Sequence, residues 1–538
     1  MSLLALLAIA GGIFIVAYFT YGKFLDKKLD VDPNRPTPAV TMADGVDYVS
    51  SKKPVLLGHH FATIAGGGPI VGPITAVVFG WIPAVLWIII GSIFIGGVHD
   101  YTSLQASIRH KAQSIGTIIK EYIGIRGQTL FLAFSIATLA LIVGVFTILV
   151  RDTFVSVPEA ATASILFIGA AIIFGFLVNQ FRMNFVLASI LGVIAMAASI
   201  WIGLIYPLHL SGTAWVIILL VYAYLASVMP VWVLLQPRDY LNSFLLYGMI
   251  AGGALGIIFA NPTIQMPGFT GFYNETLGYL FPILFITIAC GAISGFHSLV
   301  SSGTTAKQLD NEKNGRFITF GGMLLEGFLA IIAVGAVAYL SQAEFTARMA
   351  DLGGPIGTFS AGIGYFMSHF GVPTATGTTF VALTASAFLM TTLDSATRLG
   401  KYAVQELAED KLPILANNHL ATLVIVVGAG ALAISGTWSA VWPLFGSANQ
   451  MLGALALLAI SVWLIKKGVK AWFAIIPMIF MFFVTIAALI VLIQTNFTAK
   501  NYFLTVAAFV LLVLCIVLAI EAWRSLTATS EKDSSIKV

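Results

Sequence analysis

Long apolar stretches, separated by short polar segments, follow one another along almost the whole chain. Most of them are close to the ~20 residues that an α-helix needs to cross a bilayer. The longest polar segments, 22–53 and 341–372, are too short to form a soluble domain. The sequence therefore predicts an all-α polytopic membrane protein with about fifteen transmembrane helices, at residues 2–21, 54–79, 81–107, 128–150, 161–179, 184–206, 213–236, 241–260, 279–303, 317–340, 373–396, 418–436, 448–465, 472–494 and 502–522.

The composition supports this class. Hydrophobic residues make up 59% of the chain and charged residues 9%, with a mean hydropathy of +0.97, whereas soluble domains carry about 25% charged residues. Both cysteines, Cys290 and Cys515, lie within apolar stretches, so neither a disulfide framework nor a thiolate metal site is expected. The stretch from Met1 to Tyr21 lacks a basic start and a small-residue cleavage site, which favours a retained helix over a signal peptide.

The positions of the basic residues predict the orientation. With the N-terminus outside, 24 of the 27 Lys and Arg residues lie in segments that face the cytoplasm, and Arg151, Arg348 and Lys500 lie outside. The positive-inside rule then predicts an external N-terminus and a cytoplasmic C-terminus. The net charge of +4 follows from this bias and does not indicate a nucleic-acid partner.

The most unusual apolar segment, at residues 54–72, reads PVLLGHHFATIAGGGPIVG. It carries His59 and His60 side by side and then three glycines before a proline, namely Gly66, Gly67 and Gly68. These breakers disfavour a regular helix, and unwound backbone within a membrane occurs where it is buried in protein or lines a polar cavity. We expect a broken helix of the kind with which secondary transporters bind ions and substrates. The alternative is a glycine-lined helix-packing face.

The order of the apolar spans predicts an inverted repeat. With the first helix set aside, five spans cover 54–206 and start inside, and five more cover 213–396 and start outside. The span 213–236 is interrupted at Pro230, which makes it the expected partner of the break after Gly66. Five plus five helices of opposite orientation is the leucine-transporter-like plan of secondary transporters. The predicted organisation is an extra helix and cytoplasmic loop (1–53), a transport core (54–396), C-terminal helices (397–525) and a disordered cytoplasmic tail (526–538).

Four ionisable residues within the apolar spans lie at a similar predicted depth. His60, Asp100, His297 and Glu326 come from four different spans and lie roughly 9–14 Å from the inner edge, counted at 1.5 Å per residue. Ionisable groups in membrane spans are functional candidates by default, and carboxylates beside histidines can exchange protons near neutral pH. The alternatives are an interfacial Asp100 and a core His297 whose hydrogen bonds are satisfied. Glu326 is the hardest to dismiss, because no charged residue is near it in sequence.

A row of hydroxyls follows in the stretch SGFHSLVSSGTTAKQ, contributed by Ser301, Ser302, Thr304 and Thr305. If these hydroxyls face freed carbonyls of the glycine run, they form a hard-oxygen site suited to a small cation. Hydroxyls bonded back to their own helix are the inert alternative. Further along, Asp394 and Arg398 at i,i+4 spacing predict a structural ion pair at the inner boundary.

Five stretches together resemble the carbon starvation protein A family: GHHFATIAGGGPIVGP, GVHDYTSLQASIRHKAQSIG, PVWVLLQPRDYL, SGFHSLVSSGTTAKQ and GGMLLEGFLAIIAVGA. The resemblance covers about residues 1–525. It implies a bacterial-type inner-membrane secondary transporter tied to nutrient limitation, in a family linked to peptide uptake and, for some members, to proton-coupled pyruvate uptake. It also implies membership of the amino acid–polyamine–organocation superfamily, in agreement with the five-plus-five plan. The family's peculiar positions are here His59, His60, Gly66 to Gly68, His99, Asp100, Arg238, Asp239, His297 and Glu326.

Together these features predict a secondary active transporter, not an enzyme, for small carboxylate-bearing nutrients such as peptides or pyruvate. Proton symport without a cofactor is the expected mode, with sodium coupling and a passive channel as alternatives. A membrane metal or haem redox protein is disfavoured, because no H-x-x-x-H or C-x-x-C-H spacing occurs and adjacent histidines point about 100° apart on a helix. The expected partners are the small-molecule substrate and the lipid bilayer, and the oligomeric state is left open.

Overall fold

The computed structural model describes residues 1–44, 48–230, 233–408 and 412–535, which are mostly α-helical. Two short strands, β1 (Tyr273–Asn274) and β2 (Gly278–Tyr279), pair antiparallel. Short 3₁₀ turns lie at Val77–Phe79, Thr305–Lys307, Glu312–Asn314 and Pro413–Ala416, and π-helical turns at Ser92–Gly96 and Arg316–Phe320. The α-helices are α1 (Leu3–Phe19), α2 (Tyr21–Lys28), α3 (Pro38–Thr41), α4 (Lys53–Ile64), α5 (Gly68–Ala76), α6 (Trp81–Gly91), α7 (Gly97–Arg109), α8 (Ile115–Tyr122), α9 (Ile125–Ser156), α10 (Pro158–Asn179), α11 (Phe185–Ile205), α12 (Gly212–Val228), α13 (Leu235–Ala260), α14 (Leu280–Thr287), α15 (Phe296–Gly303), α16 (Gly321–Ala338), α17 (Gln342–Asp351), α18 (Pro355–Ser368), α19 (Thr374–Ala408), α20 (Asn418–Ser435), α21 (Trp438–Lys466), α22 (Trp472–Thr498) and α23 (Tyr502–Ser535).

The helices give the chain the architecture of a multi-pass membrane protein, as predicted. Eleven of the described helices are long and apolar enough to cross a bilayer, or up to twelve if the bent pair α4–α5 is counted as one span. The predicted count of fifteen is not confirmed. Two of the other predicted spans correspond to the shorter apolar helices α12 and α20, and the third, 279–303, is divided between α14 and α15.

The break predicted in the first core helix is confirmed. α4 ends at Ile64 and α5 begins at Gly68, and the two parts of the span are bent by 47°. Glycine lowers the cost of leaving helical geometry, and Pro69, in the first turn of α5, has no N–H that would need a partner. The chain therefore unwinds inside the span and not at its end.

A second break, which the sequence does not predict, divides the span 279–303. α14 ends at Thr287 and α15 begins at Phe296, which leaves residues 288–295 outside both helices. The helix does stop at Pro230 as predicted, since α12 ends at Val228 and α13 begins at Leu235, but the stop lies between two helices and not within one span. A proline ends a helix by itself, whereas 288–295 contains no proline and depends on other parts of the structure to stay unwound.

The elements that follow the two breaks come in the same order. After α4–α5 come a helix with a π-helical turn (α6–α7), the 32-residue α9, the 17-residue α12 and the 26-residue α13. After α14–α15 come a π-helical turn that leads into α16, the 35-residue α19, the 18-residue α20 and the 29-residue α21. The helical pair α10–α11 and the shorter helices α8, α17 and α18 lie outside this order. The predicted grouping into 54–206 and 213–396 is not confirmed, because the second series begins at the second break.

Both breaks lie in the interior of the bundle. α9 and α19 pack against each other at its centre, and α21 is the most enclosed of the candidate spans. α5 packs against α16 and α18, and α15 packs against α7 and α21, whereas only a minority of the described side chains of α11 and α23 are buried. α23 continues to Ser535, past the start of the tail predicted to be disordered, and 536–538 lie outside the described residues.

Candidate functional site

Four ionisable side chains form a connected, fully buried chain beside the second break. Nδ1 of His99 lies 2.7 Å from Oδ1 of Asp100, and Nδ1 of His297 lies 2.9 Å from Oδ2 of the same carboxylate. Nε2 of His297 lies 3.4 Å from Oε2 of Glu326. All four residues are 0% exposed. The structure thus brings together three of the four residues placed at one depth from sequence, and adds His99.

The local backbone explains why these residues meet. His297 is the second residue of α15, so the second break places it at the start of a half-helix. Asp100 lies in the first turn of α7 and Glu326 in the second turn of α16, and each of these helices follows a π-helical turn. Such turns are often found at functional sites, because the wider turn rotates the following side chains around the helix axis.

The two adjacent histidines diverge, as expected for neighbours on a helix. Nδ1 of His60 lies 2.8 Å from Oγ1 of Thr305, its ring lies against Gly322, and its Nε2 has no hydrogen-bond partner in the described structure. His59 instead lies near enough to Asp239 to interact with it electrostatically. In the described part of the chain, no three His, Cys, Asp or Glu side chains are grouped as metal ligands would be.

The hydroxyl row at 301–305 borders these ionisable groups, and two of its members are engaged by the protein. Thr305 is bonded to His60, and Ser302 donates to a carbonyl of its own helix at 2.7 Å. Ser301 Oγ is buried without a hydrogen-bond partner in the described structure, and Thr304 is half-buried. The back-bonded alternative therefore describes Ser302, while a cation site along this row stays a prediction.

The glycine run lies against two parts of the core, α19 and the second break. A Cβ added at Gly66, Gly67 or Gly68 would overlap the side chains of Thr392, Leu389 and Cys290, respectively. The lack of side chains is therefore what lets α19 and the second break approach this backbone. The N–H groups of Gly67 and Gly68 precede the first hydrogen bonds of α5 and are unpaired among the described residues, as is the buried hydroxyl of Thr392.

The backbone of the second break is supported differently, by side chains of neighbouring helices that donate hydrogen bonds to its carbonyls. The pairs are Trp442 Nε1 to Thr287 (3.0 Å), Trp87 Nε1 to Ile288 (3.2 Å), Ser92 Oγ to Gly291 (3.0 Å) and Gln450 Nε2 to Phe285 (2.5 Å). These bonds replace the helical ones that an unwound segment in hydrocarbon loses. The sequence alone did not point to these donors, although polar residues such as Gln450 inside an apolar span are a signal for them.

A second buried ionic cluster connects α12, α13 and α19. Arg238 is paired with Asp394 and, at 3.0 Å, with Asp239, and the hydroxyl of Tyr222 donates to Asp394 at 2.8 Å. The ion pair predicted between Asp394 and Arg398 is wrong. Arg398 donates to two backbone carbonyls at the end of α12, where the negative end of the helix dipole attracts a cation.

Two broken helices, with buried ionisable groups beside the second, inside a bundle of membrane-spanning length are features found in membrane transporters. The family follows from comparison with known proteins. The family model of the carbon starvation protein CstA matches residues 2–353 and 346–488, so the chain belongs to the carbon starvation protein CstA family.

Individual relatives are similar over most of their length. The pyruvate/proton symporter BtsT of Escherichia coli K12 is 31% identical, over 91% of this chain and 82% of the relative. The peptide transporter CstA of Campylobacter jejuni is 34% identical, over 90% of this chain and 79% of the relative. Among solved structures, a manganese transporter of Eremococcus coleocola is similar with a TM-score of 0.39 and 11% identity, covering 90% of this chain and 99% of that one.

The Arg238 cluster leads to a prediction about stability. The variant Arg238→Met is expected to lose about 3–5 kcal/mol of folding free energy, because it leaves two buried carboxylates without their cation. Thermal unfolding of the purified protein in detergent would show this loss as a lower midpoint. Arg182→Met, in the exposed connection between α10 and α11, is the matched control and should unfold like the parent. Equal midpoints for Arg238→Met and the parent would contradict the assigned role.

Proposed function

We propose that this chain is a secondary active transporter, not an enzyme, that imports small carboxylate-bearing nutrients, peptides or pyruvate, by proton symport under nutrient limitation. The observation that carries this function is the buried chain Asp100–His297–Glu326 beside a broken helix with unpaired backbone donors. Family membership supports it, since relatives are named as a pyruvate/proton symporter and as peptide transporters. The proposed coupling ion is H⁺, and no cofactor takes part.

The first break offers a binding site for a carboxylate. The N–H groups of Gly67 and Gly68 lie at the N-terminus of α5, where unpaired donors and the helix dipole favour a negative charge. The unpaired hydroxyl of Thr392, which lies beside Gly66, adds a further donor. Peptides and pyruvate share a carboxylate, so this site fits the substrate class as a whole.

The substrate site is closed in the conformation described here. The side chains of Leu389 and Cys290 lie against Gly67 and Gly68, so a carboxylate reaches these N–H groups only when α19 or the second break moves away. Such a movement of helices around a fixed site is how broken-helix transporters alternate access between the two sides of the membrane.

The buried ionisable chain offers a proton-binding site. Both carboxyl oxygens of Glu326 lack a hydrogen bond in the described structure, and the imidazole of His297 lies 3.4 Å away. An isolated charge at this position costs much more free energy than a protonated carboxyl. Because His297 presents one ring nitrogen to Asp100 and the other to Glu326, its imidazole can take a proton from one carboxyl group and pass it to the other.

Competing transport modes make different predictions for the same measurement. Sodium symport, with the ion at the hydroxyl row, predicts accumulation driven by a sodium gradient. A passive channel predicts uptake that never exceeds equilibrium, and a metal or haem protein would show its group in an optical spectrum and metal analysis. Uptake of labelled pyruvate and labelled di- or tripeptides into proteoliposomes, with proton and sodium gradients imposed separately, distinguishes the transport modes.

The proton-binding role of Glu326 predicts a specific defect. Glu326→Gln keeps the shape of the protonated carboxyl but cannot titrate, so it should retain substrate exchange and lose accumulation driven by a pH gradient. Both activities are measured in proteoliposomes, with Glu275→Gln on an exposed loop as the matched control. If Glu326→Gln accumulates substrate as well as the parent under a proton gradient alone, Glu326 is not the residue that couples transport to protons.

If the glycine run binds substrate, a side chain at position 67 should block transport even when the protein packs and folds normally. Gly67→Leu should abolish transport, because a side chain there overlaps Leu389 and covers the N–H groups. In the double variant Gly67→Leu/Leu389→Ala, the truncated side chain at 389 makes room for most of the leucine added at 67. This variant should recover thermal stability without recovering transport. Gly169→Leu, on α10 with open space around it, is the control. Full transport by the double variant would mean that the glycines serve packing alone.

The proposed location is the inner membrane of a bacterial-type cell, with the N-terminus outside and the C-terminus in the cytoplasm. The bias of 24 of 27 basic residues to one side predicts that 22–53, 304–316 and the C-terminus face the cytoplasm and 341–372 the outside. In a chain without Cys290 and Cys515, an impermeant thiol reagent added to intact cells should label Gln342→Cys and leave Ser534→Cys unlabelled. Labelling of Ser534→Cys would overturn the topology.

A further inference from the structure

Asn449, on the enclosed helix α21, bonds to the second break through its carbonyl and through both polar atoms of its side chain. Its carbonyl accepts a hydrogen bond from the N–H of Gly295 (3.0 Å), and its Oδ1 accepts one from the N–H of Phe296 (3.0 Å). Its Nδ2 donates to Oγ of Ser294 (3.0 Å) and to Sγ of Cys290 (3.5 Å). The residue is 0% exposed. One side chain thus connects both ends of the segment 290–296.

The two ends of this segment adjoin two different sites. Cys290 packs against Gly68, where the proposed substrate carboxylate would bind, and Phe296 is followed directly by His297. Because Cys290 fills the space beside Gly68, a carboxylate that reaches the N–H of Gly68 has to displace it. Close packing transmits such a displacement to whatever is rigidly attached to the displaced group.

We propose that Asn449 is a positioning residue that transmits substrate binding at Gly68 to the proton site at His297. This inference rests on the proposed function. With Asn449 in place, the segment 290–296 moves as one body, so the displacement of Cys290 changes the position of His297 relative to Asp100 and Glu326. Without the amide, Cys290 gives way alone, and proton affinity no longer responds to the substrate.

Asn449 acts on the proton site through position and not through charge. The groups that face His297 are Asp100 on α7 and Glu326 on α16, with His99 bonded to Asp100 and His60 on α4 within electrostatic range. The thiol of Cys290 also lies within electrostatic range of Glu326. By contrast, α21 carries no Asp, Glu, His, Cys or Tyr along its length. A change at Asn449 therefore removes no titrating group from the site.

Coupling between the two sites has a measurable signature. If the substrate binds better to the protonated transporter, its apparent Kd rises by up to about tenfold per pH unit above the point at which the site loses its proton. By reciprocity, bound substrate strengthens proton binding by the same factor. A transporter in which the connection is cut binds substrate with an affinity that does not change across this pH range.

The experiment measures this signature in Asn449→Ala. Binding of labelled pyruvate and of a labelled dipeptide is measured at a series of pH values, and exchange and proton-driven accumulation are measured in proteoliposomes. Asn449→Ala should retain exchange, show a Kd independent of pH and lose accumulation. Asn496→Ala, on α22, is the matched control, because in the described part of the chain the amide of Asn496 bonds to a carbonyl of its own helix, at 2.9 Å, and to no other element. It should behave like the parent.

A second variant keeps the test decisive if Asn449→Ala does not fold. Ser294→Ala removes the hydroxyl that contacts both polar atoms of the Asn449 side chain, and it should weaken the pH dependence in the same direction. If Kd rises with pH as steeply in the variants that fold as in the parent, the role of Asn449 is overturned. The proposed proton symport is not affected by that result. A Kd independent of pH in the parent itself contradicts proton symport, and the role of Asn449 with it.

Discussion

Backbone groups that lose their helical partners inside a membrane need other partners, and this constraint governs both breaks of the core. At the second break, indole, hydroxyl and amide groups of α6, α21 and the turn between α6 and α7 meet the freed carbonyls. At the first break, the N–H groups of Gly67 and Gly68 are unpaired in the described structure. The second break is thus held together by side chains of its neighbours and carries His297 at its end, whereas the first break leaves two N–H groups without a partner in the described structure.

The two buried ionic clusters differ in what can change during a transport cycle. Arg238 keeps its proton at any physiological pH, so its pairing with Asp394 and Asp239 is a permanent connection between α13 and α19. Asp100, His297 and Glu326 can each gain or lose a proton. One cluster therefore suits a structural role and the other a coupling role, although both place a basic side chain between two acidic ones.

The sequence predicted what depends on local chemistry and missed what depends on distant partners. The break at Gly66 was predictable because its cause lies in its own residues, and the meeting of Asp100, His297 and Glu326 was suggested by counting along each span. The break at 288–295 was not, because the side chains that support it lie 155 to 201 residues away in the chain. The prediction that Arg398 pairs with Asp394 was wrong for the same reason, because the cation that pairs with Asp394 is Arg238, on the distant helix α13.

The π-helical turns at Ser92–Gly96 and Arg316–Phe320 have a consequence for how the chain tolerates changes in length. A turn of this kind holds one residue more than the α-helix around it, and one residue corresponds to a rotation of about 100°. Removing a single residue from either turn would let a regular helix form and would swing Asp100 or Glu326 away from His297. Sequence alignments of this region therefore have to preserve residue count as strictly as residue identity, because the spacing itself sets which side chains meet.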